Sequence, residues 1–171
     1  SYTLISEAKC LTYIDTEGYT PSPEVVRRLA TTYAVMGEDQ SKLGIKGYAQ
    51  LDTVRVHLMA VLMVCVEQKD WEAVGGLAKA VSGYEGYLDI QGHWTDRITA
   101  LEAGLTASRK LNDRLADVAF LGDLGAAYRA VGQMERSVDC SKRALDLARR
   151  LVDRHAEGNS LGNLGATYYA M

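Results

Sequence analysis

Apolar residues recur at steps of three and four along most of this chain, the spacing that gathers them on one side of an α-helix. In 24–36, Val25, Leu29, Tyr33 and Met36 keep that rhythm, with Ser22 placed to cap the helix, Pro23 in its first turn and Gly37 as a natural stop. A second helix is predicted from about Leu51 to Val66. The turn at 68–70 then offers Asp70 as an N-cap, and a third helix runs from Trp71 to about Ile90. That third segment carries Gly75, Gly76, Gly83 and Gly86, each lowering helix propensity by up to about 1 kcal/mol, so close approach of a neighbouring helix is the expected reason for them. The only prolines are Pro21 and Pro23, so nothing after Glu24 is barred from helix by proline chemistry. Strand-like alternation is confined to residues 1–5.

Beyond Ile90 the rhythm acquires a period of forty residues. The phrase Leu121-Gly-Asp-Leu-Gly-Ala-Ala-Tyr128 returns as Leu161-Gly-Asn-Leu-Gly-Ala-Thr-Tyr168, and laying 113–131 over 153–171 gives ten identities in nineteen positions. Chance gives roughly one, so the segments are repeats of one structural unit. Gly92 and Gly132 end one helix of each unit, Trp94 and Met134 open the next, and Asp113 and Asp153 stand where a carboxylate caps the following helix. Each unit reads as a helical hairpin, and the predicted fold is all-α: stacked antiparallel helical hairpins preceded by a less regular helical part.

The phrase Leu-Gly-x-Leu-Gly-x-x-Tyr, followed by glycine and then by a helix containing Ala144-Leu145, resembles the tetratricopeptide repeat. Gly125, Tyr128, Gly132, Ala144 and Leu145 match its positions, as do Gly165 and Tyr168 in the last unit. The forty-residue spacing is similar to the longer variety found in kinesin light chains. The resemblance implies a right-handed solenoid with 84–112 as a degenerate repeat, 113–152 as a complete one and 153–171 as a truncated one. In 84–112, Arg97 and Gly104 stand where small alanines are usual. More weakly, 50–71 and 87–94 are similar to the helical linker of bacterial STAND-class signal-transduction ATPases, the NB-ARC and AfsR-like regulators. On that resemblance 1–83 is a linker region, with 1–14 as a remnant of a winged-helix domain, although the residues after the presumed wing strand, Ile5-Ser6, depart from that family's pattern. The chain opens with Ser1 and stops at Met171, where the repeat calls for a second helix, so it is expected to be an excised fragment. Leu161, Leu164 and Tyr168 would then lack part of their cover, with frayed terminal residues or end-to-end self-association as the expected result.

With 47% hydrophobic residues over 171 positions, the chain can bury a core without disulfides or metal. The three cysteines, Cys10, Cys65 and Cys140, are widely separated and are read as reduced thiols of a cytoplasmic protein. Apolar runs such as 58–66 fall short of the about 20 residues that span a bilayer. The net charge of −3, with acids and bases interleaved, gives no basic stripe for nucleic acid or membrane. Lys142-Arg143 and Arg149-Arg150 are read as solvated outer face.

Catalytic and cofactor chemistry find no support. His57, His93 and His155 lie far apart without metal-binding spacing, no nucleophile sits in a strained turn, and no phosphate-binding glycine loop is present. No metal, no cofactor and no enzymatic activity are expected, and the partner expected is a protein or peptide. In stacked hairpins the first helices line the concave side. The candidate binding residues there are Asp123 and Arg129 in one repeat and Asn159, Asn163 and Tyr169 in the next. The kinesin-light-chain resemblance singles out Asn163, since asparagine in this phrase binds the backbone of extended peptides in that variety. The alternative is a solvated side chain, or one bonded to the neighbouring helix. Asp123 at the equivalent place lacks the amide donor.

Overall fold

The computed structural model describes residues 21–83 and 86–171, and among them the only regular structure is helix, with no strand. Eight helices follow in order: α1 Pro23–Ser41, α2 Ile45–Glu67, α3 Trp71–Ser82, α4 Tyr87–Ile90, α5 Trp94–Leu111, α6 Arg114–Ala130, α7 Met134–Leu151 and α8 Arg154–Tyr169. Neighbours pack as antiparallel hairpins: α1 with α2, α3 with α5, α6 with α7, while α8 lies along α7 and touches α6. First helices (α1, α3, α6, α8) thus fall on one side of the stack and second helices (α2, α5, α7) on the other.

The punctuation of the stack is chemical. Asp70, Asp113 and Asp153 each accept a hydrogen bond from the backbone N–H three residues on, at 3.3, 3.0 and 3.0 Å, capping α3, α6 and α8. The turns into these helices pass through a left-handed residue, Lys69, Asn112 or Val152, and the turns into α5 and α7 pass through Gly92 (φ 70°) and Gly132 (φ 76°). Residues 1–5 and 1–14, where a strand and a winged-helix remnant were expected, lie outside the described residues.

Three boundaries differ from the sequence expectation. Gly37 does not stop α1, which continues to Ser41; a Cβ at Gly37 would sit 3.2 Å from Val81 Cγ1, so this glycine admits α3. Helix α2 starts at Ile45, six residues before Leu51, after Gly44 turns the chain at φ 60°. The helix expected to run to Ile90 ends at Ser82, where Gly83 turns extended (ψ 171°) and Gly86 N–H closes a turn onto the Gly83 carbonyl at 2.9 Å. A neighbouring helix does not account for these glycines: Gly76 faces open space, Gly75 makes one ordinary contact, and Gly83 and Gly86 meet the backbone of their own helix end and turn.

Helix α2 is also long and apolar enough, by length and composition, to cross a membrane, which summing short apolar runs did not reveal. Its Leu51, Leu58, Val61, Leu62 and Cys65 are buried against α1 and α3. Arg55 pairs with Asp96 of α5, and Asp52 accepts from the Tyr87 hydroxyl and lies 2.8 Å from His93 Nε2, tying α2 to the turn between α4 and α5. The hydrogen bond from Tyr87, then those with His93, hold the Asp52 carboxyl below the usual range.

The core is continuous through the α3–α5 hairpin. Ala100 and Ala107 of α5 join the N-terminal apolar cluster, and Ala78 of α3 joins the cluster formed by α5, α6 and α7. Small residues set the spacing. A Cβ on Gly104 would lie 2.5 Å from Phe120 Cε1 and 3.0 Å from Ala78 Cβ. One repeat later the equivalent pair is Ala144 and Ser160, so the smaller residue on α5 matches the larger one on α6. Gly125 approaches Ser137 and Ser141 of α7; the Ser137 hydroxyl donates to the Gly125 carbonyl (2.7 Å) and pairs with Thr167 Oγ1 (2.8 Å).

Two stability measurements check this packing. Gly104→Ala should cost about 1–3 kcal/mol in urea unfolding, as expected for overpacking. The double variant Gly104→Ala/Phe120→Ser should cost less than the two single changes added together. Val152 is β-branched at φ 58° where the preceding repeat has Asn112. Val152→Asn should therefore raise stability by about 1 kcal/mol.

Candidate functional site

Among the described residues, grooves on the side lined by the first helices include two of different size. The smaller, about 290 Å³, runs between α1 and α3 over Ala30, Ala34 and Gly76, and an ion pair joins Arg27 to Asp70 (2.6 Å) at its edge. Glu38 and Glu72 also line it, and among the described residues neither is used in an ion pair. The larger groove, about 820 Å³, lies between α6 and α8. Leu115 and Val118 give it an apolar wall, Gly158 and Gly162 an open one with nothing within 4 Å of either notional Cβ, and Asp123, Asn159 and Asn163 its polar groups.

Three of the five sequence candidates therefore meet in one groove. Asn163 Nδ2 donates to the Gly122 carbonyl across the valley at 3.2 Å, so its amide nitrogen links α8 to α6 and its oxygen stays available as an acceptor. Asn159 is exposed on the same wall. Arg129 and Tyr169 are not part of the lining. Tyr169 projects into solvent, and Arg129 is half-buried with one guanidinium nitrogen that has no hydrogen-bond partner. The reading missed Leu115, His155 and the whole α1–α3 groove. The forty-residue register, which pairs Leu115 with His155, was the signal for the first two, whereas the last lies outside the recognisable repeats.

Asp123 occupies the register position of Asn163 but faces different neighbours. Burial pushes its carboxyl up to about 6; Arg97 acts in the opposite direction and Asp89 adds to the rise. Arg97 is itself buried, donating to the Ser82 carbonyl at 3.1 Å, paired with Asp89 and lying over the Trp94 ring. This explains the arginine found where the repeat usually has a small residue: it bridges the broken end of α3 to α4. The carboxylates next to the α5–α6 and α7–α8 turns serve the frame. Asp117 accepts from the Ser108 hydroxyl and from Arg114 (3.2 Å), and Glu157 accepts from Arg149 (2.8 Å) and Arg154 (3.1 Å). Cys65 and Cys140 are buried free thiols, that of Cys65 pushed up to about 11 by burial and so held in the unreactive form. Among the described residues no three His, Cys, Asp or Glu side chains come together to hold a metal ion.

The raised Asp123 pKa makes a stability prediction. Between the unfolded carboxyl value near 4 and the folded value near 6 the folded chain binds the extra proton, so this group's contribution favours folding at low pH and is lost as pH rises through about 6. Asp123→Asn, which installs the residue of the next repeat, should raise stability at pH 7.5 by on the order of 2 kcal/mol. It should also flatten the decline from pH 4 to 7 followed by thermal melts.

Residues 116–171 match the family model described as Tetratricopeptide repeat. A solved structure from Podosopora anserina, described as a kinesin light chain with nearly identical TPR-like repeats, is similar in fold, with a TM-score of 0.56 at 14% identity over 98% of this chain and 76% of that chain. No curated protein matches the chain. Over its last third the chain therefore matches tetratricopeptide repeats, generally protein-interaction modules without catalysis of their own, and its described residues share the stacking of a TPR-like solenoid.

Proposed function

We propose that the chain is a non-catalytic binding module that holds an extended protein or peptide segment in the valley between α6 and α8. The observation that carries this reading is the 820 Å³ groove itself. Its glycine wall lets a second backbone approach, and Asn159 with the free oxygen of Asn163 can hydrogen-bond that backbone as no side-chain pocket could. Carboxylates outnumber bases in both grooves, with Glu38 and Glu72 in one and Asp123 and Asp153 in the other, so segments bearing lysine or arginine are favoured. The repeat match over 116–171 supports a protein partner.

On the sequence resemblance of 50–71 and 87–94, the module is proposed as the cytoplasmic regulatory arm of a larger bacterial signalling ATPase or transcription regulator. A ligand would shift the parent between closed and active forms by its difference in affinity for the two. The proposed boundary at residue 83 falls inside the α3–α5 hairpin, so linker region and repeats share one stack. A second reading, self-packing without a separate ligand, is favoured by the bare outer face of α8: Leu161 is 48% exposed where its repeat equivalent Leu121 is 3% exposed.

The test is to select extended lysine- or arginine-containing peptides on the immobilised chain and measure affinity by fluorescence anisotropy. Leu115→Arg and the double change Asn159→Ala/Asn163→Ala should each weaken binding by about tenfold or more, while Arg143→Ala on the opposite side leaves it unchanged. Failure to select any peptide, together with a concentration-dependent mass that Leu161→Glu abolishes, would favour self-packing instead.

A further inference from the structure

The outward side of α2 carries a stripe of its own, remote from the grooves. Ile45, Ala49, Val56, Ala60 and Met63 lie on one face of this helix, with Val56 71% exposed, Ile45 83% and Met63 42%. The buried face of α2 is already satisfied by α1 and α3, so the apolar positions of the stripe have no helix packed on them among the described residues; Asp52, also on this face, is held from one side by Tyr87 and His93. From Ile45 to Met63 the stripe is about 27 Å long.

The stripe is symmetric about Val56. Running outward, the exposed positions fall at steps of four, three and four in both directions: Ala60, Met63 and Glu67 one way, Asp52, Ala49 and Ile45 the other. An antiparallel copy of α2 placed on a two-fold axis at Val56 therefore sets Val56 against Val56, the small Ala49 against the long Met63, and Ala60 beside Asp52. It also brings the two ends together. Lys46 and Glu67 are exposed at opposite ends of the stripe and, among the described residues, neither is in an ion pair; the same arrangement sets Glu67 of each copy opposite Ile45 of the other, with Lys46 the next residue along and within reach of it. Antiparallel helix dipoles add to the attraction.

We infer that the exposed face of α2 is a self-association surface on which a second copy of this chain packs its own α2 antiparallel, centred on Val56 and closed at both ends by Lys46–Glu67 pairs. The contact is isologous, so it stops at a dimer and leaves both peptide grooves open on the far sides. One helix pair is smaller than the roughly 800 Å² per partner of a standard interface, so the dimer is weak and dissociates in the micromolar range.

The test is sedimentation velocity on the full chain from about 1 to about 300 μM, with vesicle flotation in parallel. The expected result is a shift from monomer to dimer mass across that range. Val56→Glu, at a solvent-exposed position and checked for native circular dichroism, should weaken the dimer by about tenfold or more, and Lys46→Glu or Glu67→Lys alone should weaken it severalfold. Lys46→Glu combined with Glu67→Lys should restore it, while Leu161→Glu leaves it unaffected. A single monomeric species throughout, a double charge reversal that fails to restore the dimer, or dimerisation lost through Leu161→Glu would overturn the inference. So would flotation with vesicles that Val56→Glu abolishes in a chain that stays monomeric, which would make the stripe a lipid-facing surface.

Discussion

Everything in this stack depends on how closely the two helices of a hairpin can approach. At the α6–α7 crossing no side chain separates Gly125 from Ser137, and the serine hydroxyl bonds the glycine carbonyl directly before reaching on to Thr167 of α8. That one hydroxyl joins three helices in two successive repeats. Where α5 takes the corresponding role, Gly104 clears room for Phe120 against Ala78. Such contacts fix the spacing of the first helices, and that spacing in turn decides whether a valley between α6 and α8 is wide enough to take another chain. In a stack of this kind each hairpin leans mainly on its neighbours, so local packing errors remain local.

The repeats were legible because their signals are short-range and doubled. Asp113 and Asp153 cap, Gly132 turns, and Leu121 and Leu161 return at the same step, so each reading of one unit checked the other. The front half offers no second copy to compare. Gly37 resembled a helix stop in isolation and proved to be a helix–helix contact, because a glycine in sequence does not reveal whether it meets a turn or a neighbour such as Val81. The break after Ser82 was hidden by continuous apolar spacing up to Ile90, and the bridge that Arg97 builds between the Ser82 carbonyl and Asp89 is a tertiary contact that local spacing does not encode.

The site was legible in part and for the same reason. Asn159, Asn163 and Asp123 share the face that the repeat register assigns to the first helices, and the fold places them around one groove. Arg129 and Tyr169 share the sequence logic but lie beyond the lining, since a helix face is wider than the valley beside it. The register also hides a difference that only packing reveals. Asn163 finds a carbonyl to bond, whereas Asp123 at the equivalent place is desolvated by burial, which raises its carboxyl against the opposing pull of Arg97.

Whether the α6–α8 valley accepts an extended chain is read out by an amide chemical-shift map of the labelled protein titrated with a selected basic peptide. The account requires the largest changes at Gly122, Asn159, Gly162 and Asn163, with α2 and the outer side of α7 silent. Changes concentrated on α2 or α7, with Asn159 and Asn163 unmoved at saturation, would contradict it.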